Sequence, residues 1–66
     1  MTKWIYVPRV HAYVDARDII SQSLDTKIGR DIIANLEVSK AFVKEHPEQM
    51  QGDINVLMAA LEALGL

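Results

Sequence analysis

Hydrophobic positions recur along this chain at two different periods. Between residues 26 and 46, Ile28, Ile32, Leu36 and Val43, with Phe42 at the edge, fall on one side of a helix drawn at about 100° per residue. Lys27, Arg30, Asp31, Glu37, Lys40, Lys44 and Glu45 occupy the rest of its circumference. The pattern predicts one long amphipathic helix, a spine for a small domain. Pro47 ends it, because the residue before a proline is pushed out of the helical region. Residues 15–24 read as a shorter helix with Asp15 as N-cap and Ala16, Ile19, Ile20, Ser23 and Leu24 on one face. On a single rod the two apolar stripes would lie roughly 150° apart. A break near Asp25 and Thr26 is therefore expected, with either residue able to cap the next helix. The alternative is one continuous helix held between two partners.

Residues 3–14 are rich in aromatic and β-branched side chains and read as strand. Alternation puts Trp4, Tyr6, Val10, Ala12 and Val14 on one face and Ile5, Val7, Arg9, His11 and Tyr13 on the other. Pro8 cannot donate to a ladder and marks an edge, a bulge or a turn. The Asn-Gly or Gly-X chemistry of a tight hairpin is absent, so a single kinked strand is preferred over a hairpin at Pro8-Arg9. A lone strand needs a partner, and the same strand of a second chain is the candidate.

The C-terminal pattern is different again. After a polar connection over 48–52, a helix is expected at 53–64, capped by Asp53 and stopped by Gly65. Ile54, Leu57, Met58, Leu61 and Leu64 cover one side, and Val56, Ala60 and Ala63 widen the apolar arc to about 220°. One neighbour needs less. Ile54, Val56, Leu57, Met58, Ala60, Leu61 and Leu64 are thus expected at an interface with a second copy, unless the chain's own strand and helices enclose them. The fold class is α+β and mostly α: an N-terminal strand or short hairpin and three helices, one domain over 1–66, completed by oligomerisation, with a dimer favoured.

Composition sharpens this picture. A chain of 66 residues buries only roughly 60% of its unfolded surface and is marginal alone. Disulfides, a metal or association are the usual remedies. With no cysteine and two histidines, association is the one this chain favours; no metal and no cofactor is expected. Half of the residues are hydrophobic, too many for a disordered chain. No stretch approaches the roughly 20 apolar residues that span a bilayer, and a cytoplasmic protein without a membrane role is expected. The net charge of −2 argues against bulk nucleic-acid binding, which needs a basic surface.

Candidate chemistry is sparse. Arg9, His11 and Tyr13 on one strand face suit an anion, or they form an ordinary solvated edge. His46 suits a helix C-terminus, where imidazolium complements the dipole. Asn35 and Ser39 interrupt the spine's apolar stripe, either as polar specificity devices at a helix interface or, for Ser39 and Gly29, as small residues permitting close packing. Trp4 and Tyr6 are either interface anchors or core. Serines 21, 23 and 39 have no histidine at useful spacing, so no catalytic residue and no enzyme activity is expected.

The order strand, short helix, longer helix over 3–46 resembles the ribbon-helix-helix repressors. That resemblance implies paired N-terminal strands of a dimer entering the major groove, with Arg9, His11 and Tyr13 as readers. Pro8 within the ribbon, the acidic balance and the helix at 53–64 depart from that pattern. The leading expectation is instead a small non-catalytic protein-interaction module, a regulator or inhibitor of a larger protein of the phage or mobile-element type. Its expected contact residues are Ile5, Val7, Arg9, His11 and Tyr13, where arginine and aromatics favour an interface.

Overall fold

The computed structural model describes residues 2–49 and 52–66. Strands β1 (Trp4–Val7) and β2 (Ala12–Asp15) flank a 3₁₀ turn at Pro8–Val10. Helices α1 (Ala16–Ser23), α2 (Lys27–Ala34) and α3 (Leu36–Glu45) follow, then a 3₁₀ turn at Pro47–Gln49 and α4 (Asp53–Ala63). Part of the polar connection at 48–52 lies outside the described residues.

The N-terminal segment is an antiparallel hairpin and not the single kinked strand that turn chemistry suggested. Trp4 pairs with Asp15, Ile5 with Val14, Tyr6 with Tyr13 and Val7 with Ala12. Its loop has four residues, Pro8 to His11, a length usually built around a type I turn and needing no Asn-Gly. Pro8 supplies the fixed φ that starts the turn. His11 closes it in the left-handed region (φ 52°, ψ 42°), donating its N–H to the Pro8 carbonyl at 3.2 Å. Histidine is among the few side chains enriched in that conformation. β1 therefore finds its partner within its own chain, unlike the inter-chain ribbon that the repressor resemblance implies.

The break between the first two helices stands where phase placed it. Asp15 caps α1 by accepting the Arg17 N–H at 2.9 Å. Thr26 caps α2, accepting the Gly29 N–H at 3.0 Å while its own hydroxyl donates to the Ser23 carbonyl at 2.9 Å. The helix expected over 26–46, however, is two helices, which brings the total to four among the described residues. Asn35 leaves helical geometry (φ −131°, ψ 58°) and serves both as the end of α2 and the start of α3. Its backbone N–H reaches the Asp31 and Ile32 carbonyls, and the Ser39 hydroxyl donates to the Ile32 carbonyl at 3.2 Å. Asparagine and serine compete with the helical ladder for backbone groups; here they satisfy the carbonyl that the bend frees.

That bend removes the spine from the centre. Val7, Ala16, Ile19 and Ala60 form the central cluster of the core, with Ile5, Val14, Ile20, Val56 and Leu64 packed around them, and Leu57 and Leu61 of α4 are buried as well. The molecule is thus built on the hairpin, α1 and α4. α3 contributes no buried residue; of the expected stripe, Ile28 and Phe42 are exposed and Ile32, Leu36 and Val43 half-buried. Between α2 and α4 a hollow of about 370 Å³, lined by Ile28, Ile32, Ile54 and Leu57, stays open. α4 starts after Gly52 (φ 59°), with Asp53 in its first turn and not as a side-chain cap. It ends as Gly65 anticipated: Gly65 (φ 76°) donates to the Glu62 carbonyl and Leu66 to the Leu61 carbonyl, a complete Schellman arrangement.

Candidate interaction face

A four-residue loop pairs odd positions of β1 with even positions of β2, which regroups the side chains. Ile5, Val7 and Val14 turn inward against the helices, Val7 being buried and the other two half-buried. Trp4, Tyr6 and Tyr13 turn outward together, at 61%, 45% and 66% exposure. Directly opposed side chains share a face, and the Tyr6 and Tyr13 rings meet edge to face with centroids 5.3 Å apart. Nothing among the described residues covers this face.

The contact set expected from a single strand is accordingly dispersed. Ile5 and Val7 lie on the inner side, and only Tyr13 belongs to the outer face. Arg9 sits in the turn, with its guanidinium 3.6 Å from the Asp53 carboxylate. Both side chains are solvated, so the pair contributes little. His11 forms the left-handed corner of the turn. Alternation along a single strand sets Trp4 and Tyr6 on the face opposite Tyr13, whereas a four-residue hairpin reverses the parity across the turn and joins them on one face. The signal that could have joined them to Tyr13 is the length of segment 8–11.

The expected oligomer residues divide as well. Leu57, Ala60 and Leu61 are buried by the chain itself, and Ala60 is part of the central cluster. Ile54, Val56, Met58 and Leu64 are half-buried. The wide arc of α4 is therefore largely explained by its own hairpin and α1, with which it makes its main contacts.

Ser23, Ser39 and His46 are engaged in local structure. The Ser23 hydroxyl donates to the Ile19 carbonyl at 2.8 Å and Ser39 to Ile32. The His46 ring lies against Phe42, centroids 4.8 Å apart, with its Nδ1 3.4 Å from the Glu48 carboxylate. The Asp15 carboxyl is held below the ordinary carboxylate pKa, first by the Arg17 backbone N–H and then by the Arg17 guanidinium. Among the described residues no cluster of three His, Asp or Glu gathers to hold a metal ion, and no helix is long and apolar enough to cross a membrane. No family model, curated protein or solved structure matches this chain.

Proposed function

We propose that the protein is a small non-catalytic interaction module whose hairpin outer face docks on a larger protein as a regulator or inhibitor. The observation that supports this reading is the uncovered group Trp4, Tyr6 and Tyr13. Aromatic side chains each bring roughly 150–250 Å² of contact area, and they dominate the residues whose truncation costs most at protein interfaces. A two-stranded ribbon backed by α1 and α4 holds them with less freedom than a loop would. Contiguous exposed apolar surface on a small protein marks a binding site more often than chance.

The test is capture of partners from native lysate with matched baits. Wild type should retain a specific partner, and Tyr13→Ala or Trp4→Ala should weaken it about tenfold or more. Lys40→Ala and Lys44→Ala, on the solvated face of α3, should leave it intact. Trp4 is the single tryptophan, so its fluorescence should shift to the blue in the complex. A partner held equally by the aromatic variants would place the site elsewhere. Retardation of duplex DNA that falls steeply with salt would favour the nucleic-acid reading instead.

A further inference from the structure

We propose that β1 pairs antiparallel with β1 of a second copy, with Trp4 opposite Tyr6 of that copy and Ile5 on the two-fold axis. This goes beyond the reading above, since it concerns the edge of the sheet and holds whether or not the outer face binds another protein.

Hydrogen-bond parity sets which backbone groups are free. The Ala16 N–H donates to the Lys3 carbonyl at 2.8 Å, so Lys3 and Ala16 stand as a hydrogen-bonded pair. Such pairs alternate with non-bonded ones along an antiparallel ladder. Ile5 with Val14 and Val7 with Ala12 are therefore bonded, whereas Trp4 and Tyr6 direct their N–H and C=O groups away from β2. The close Tyr6–Tyr13 ring contact agrees, because side chains approach most in non-bonded pairs. Natural proteins guard a free edge with charge, proline or a covering element. β1, Trp-Ile-Tyr-Val, contains neither charge nor proline. Beside it lies an open hollow of about 320 Å³, lined by Ile5, Tyr6 and Val7 and by Asn55, Val56 and Ala59 of α4. An added strand has room there.

The edge is self-complementary in one register. Two-fold pairing must set outward-directed residues opposite one another, so the axis falls on Trp4, Ile5 or Tyr6. An axis at Tyr6 would oppose Trp4 to Pro8, which has no N–H and lies in the 3₁₀ turn. An axis at Trp4 would oppose Tyr6 to Thr2, outside β1. An axis at Ile5 matches Trp4 with Tyr6 twice and uses every free group of the strand.

Opposed residues share a face, so the second copy contributes its own Trp4 and Tyr6 to the outer surface. Tyr13, Tyr6 and the second copy's Trp4 then form one rung, and the two-fold repeats it. The exposed area fits such a union. The chain exposes 4871 Å², whereas a folded monomer of 7.4 kDa should expose roughly 4,200 Å². The excess, on the order of 700 Å², belongs to the whole molecule, the open faces of α2 and α3 included, and pairing at β1 would cover a part of it.

Cysteine cross-linking reads the register directly, because the chain has no thiol of its own. Ile5→Cys would place two thiols on the axis, with Cα atoms about 4.5 Å apart, inside the range for a disulfide. Two copies of Tyr6→Cys would lie roughly 8 Å apart, beyond that range. Sedimentation of the wild type at high micromolar concentration should give twice the 7.4 kDa chain mass. Mild oxidation should link Ile5→Cys at least about tenfold faster than Tyr6→Cys. Tyr6→Pro removes the ring and an outward N–H and should be monomeric, whereas Tyr6→Thr loses the same ring but keeps the donor and should still dimerise. A wild type that stays monomeric, or equal linking rates at the two positions, would overturn the proposal. If Tyr6→Pro fails to fold, the linking rates decide alone. A wild type that stays monomeric yet still captures its partner would refute this pairing and leave the docking face standing.

Discussion

A methyl group added at Gly29 would run into the carbonyl of Ser23 and lie 2.8 Å from the Thr26 hydroxyl. Helix propensity alone favours alanine there by about 1 kcal/mol. Packing opposes it, because the obstructing atoms are backbone, and they can retreat only by parting α1 from α2. Gly29→Ala should therefore destabilise by about 1–3 kcal/mol, the usual range for overpacking, as measured by urea denaturation. An unchanged or raised midpoint would show that the junction yields. Asp15 offers a second test at this scale. Its carboxyl is held below the ordinary 3.8 by the Arg17 N–H and guanidinium. The folded state thus binds the Asp15 proton less readily than the unfolded chain, and the stability this contributes is present above the ordinary carboxylate value. It is lost as pH falls through the lowered one. Asn still caps a helix but does not titrate, so the stability difference between wild type and Asp15→Asn should shrink on acidification below about pH 4. A difference that stays constant from neutral to strongly acidic pH would rule out this contribution.

At the scale of elements, the bend at Asn35 decides how the helices share the work of folding. α2 and α3 were expected as one rod, since the apolar repeat Ile28, Ile32, Leu36, Val43 runs through both. Periodicity reports a preferred face and is blind to a single residue that leaves helical geometry and then resumes. Asn35 and Ser39 stand out in the sequence as polar interruptions, but their hydrogen bonds to the Asp31 and Ile32 carbonyls form only because the helix bends there. Ser39→Ala should leave the Ile32 carbonyl without its side-chain donor, at a cost of about 1 kcal/mol. Because α3 has no buried residue, the loosening should stay local. Amide exchange should quicken over 36–45 while α1 and α4 keep their protection. Equal acceleration in α4 would mean that α3 is coupled to the core more tightly than its packing indicates.

Over the whole molecule, the core is the place where hairpin, α1 and α4 meet, around Val7, Ala16, Ile19 and Ala60. Local rules sufficed for most helix ends, the Asp53 cap excepted. The Asp15 and Thr26 caps, the phase break between the first two helices, and the Gly65 stop each rest on residues within one or two turns of one another. The hairpin was within reach of local reasoning too, but the absence of two-residue turn chemistry hid a four-residue loop closed by His11. From that loop follows the parity that brings Trp4 and Tyr6 to the side of Tyr13 and turns Ile5 and Val7 inward. No local pattern ranks the amphipathic helices by burial. The long stripe of 28–43 and the broad arc of 54–64 both ask for cover, and a chain of this size cannot supply it to both. Tertiary structure gave the cover to α4, whose small Ala60 lets it close on α1 and β1, and left α3 at the margin. The sequence by itself determined the caps at Asp15 and Thr26, the break between α1 and α2 and the stop at Gly65, because each depends on near neighbours; the bend at Asn35, and which apolar surfaces are enclosed and which face outward, were decided only when the elements competed for a limited core.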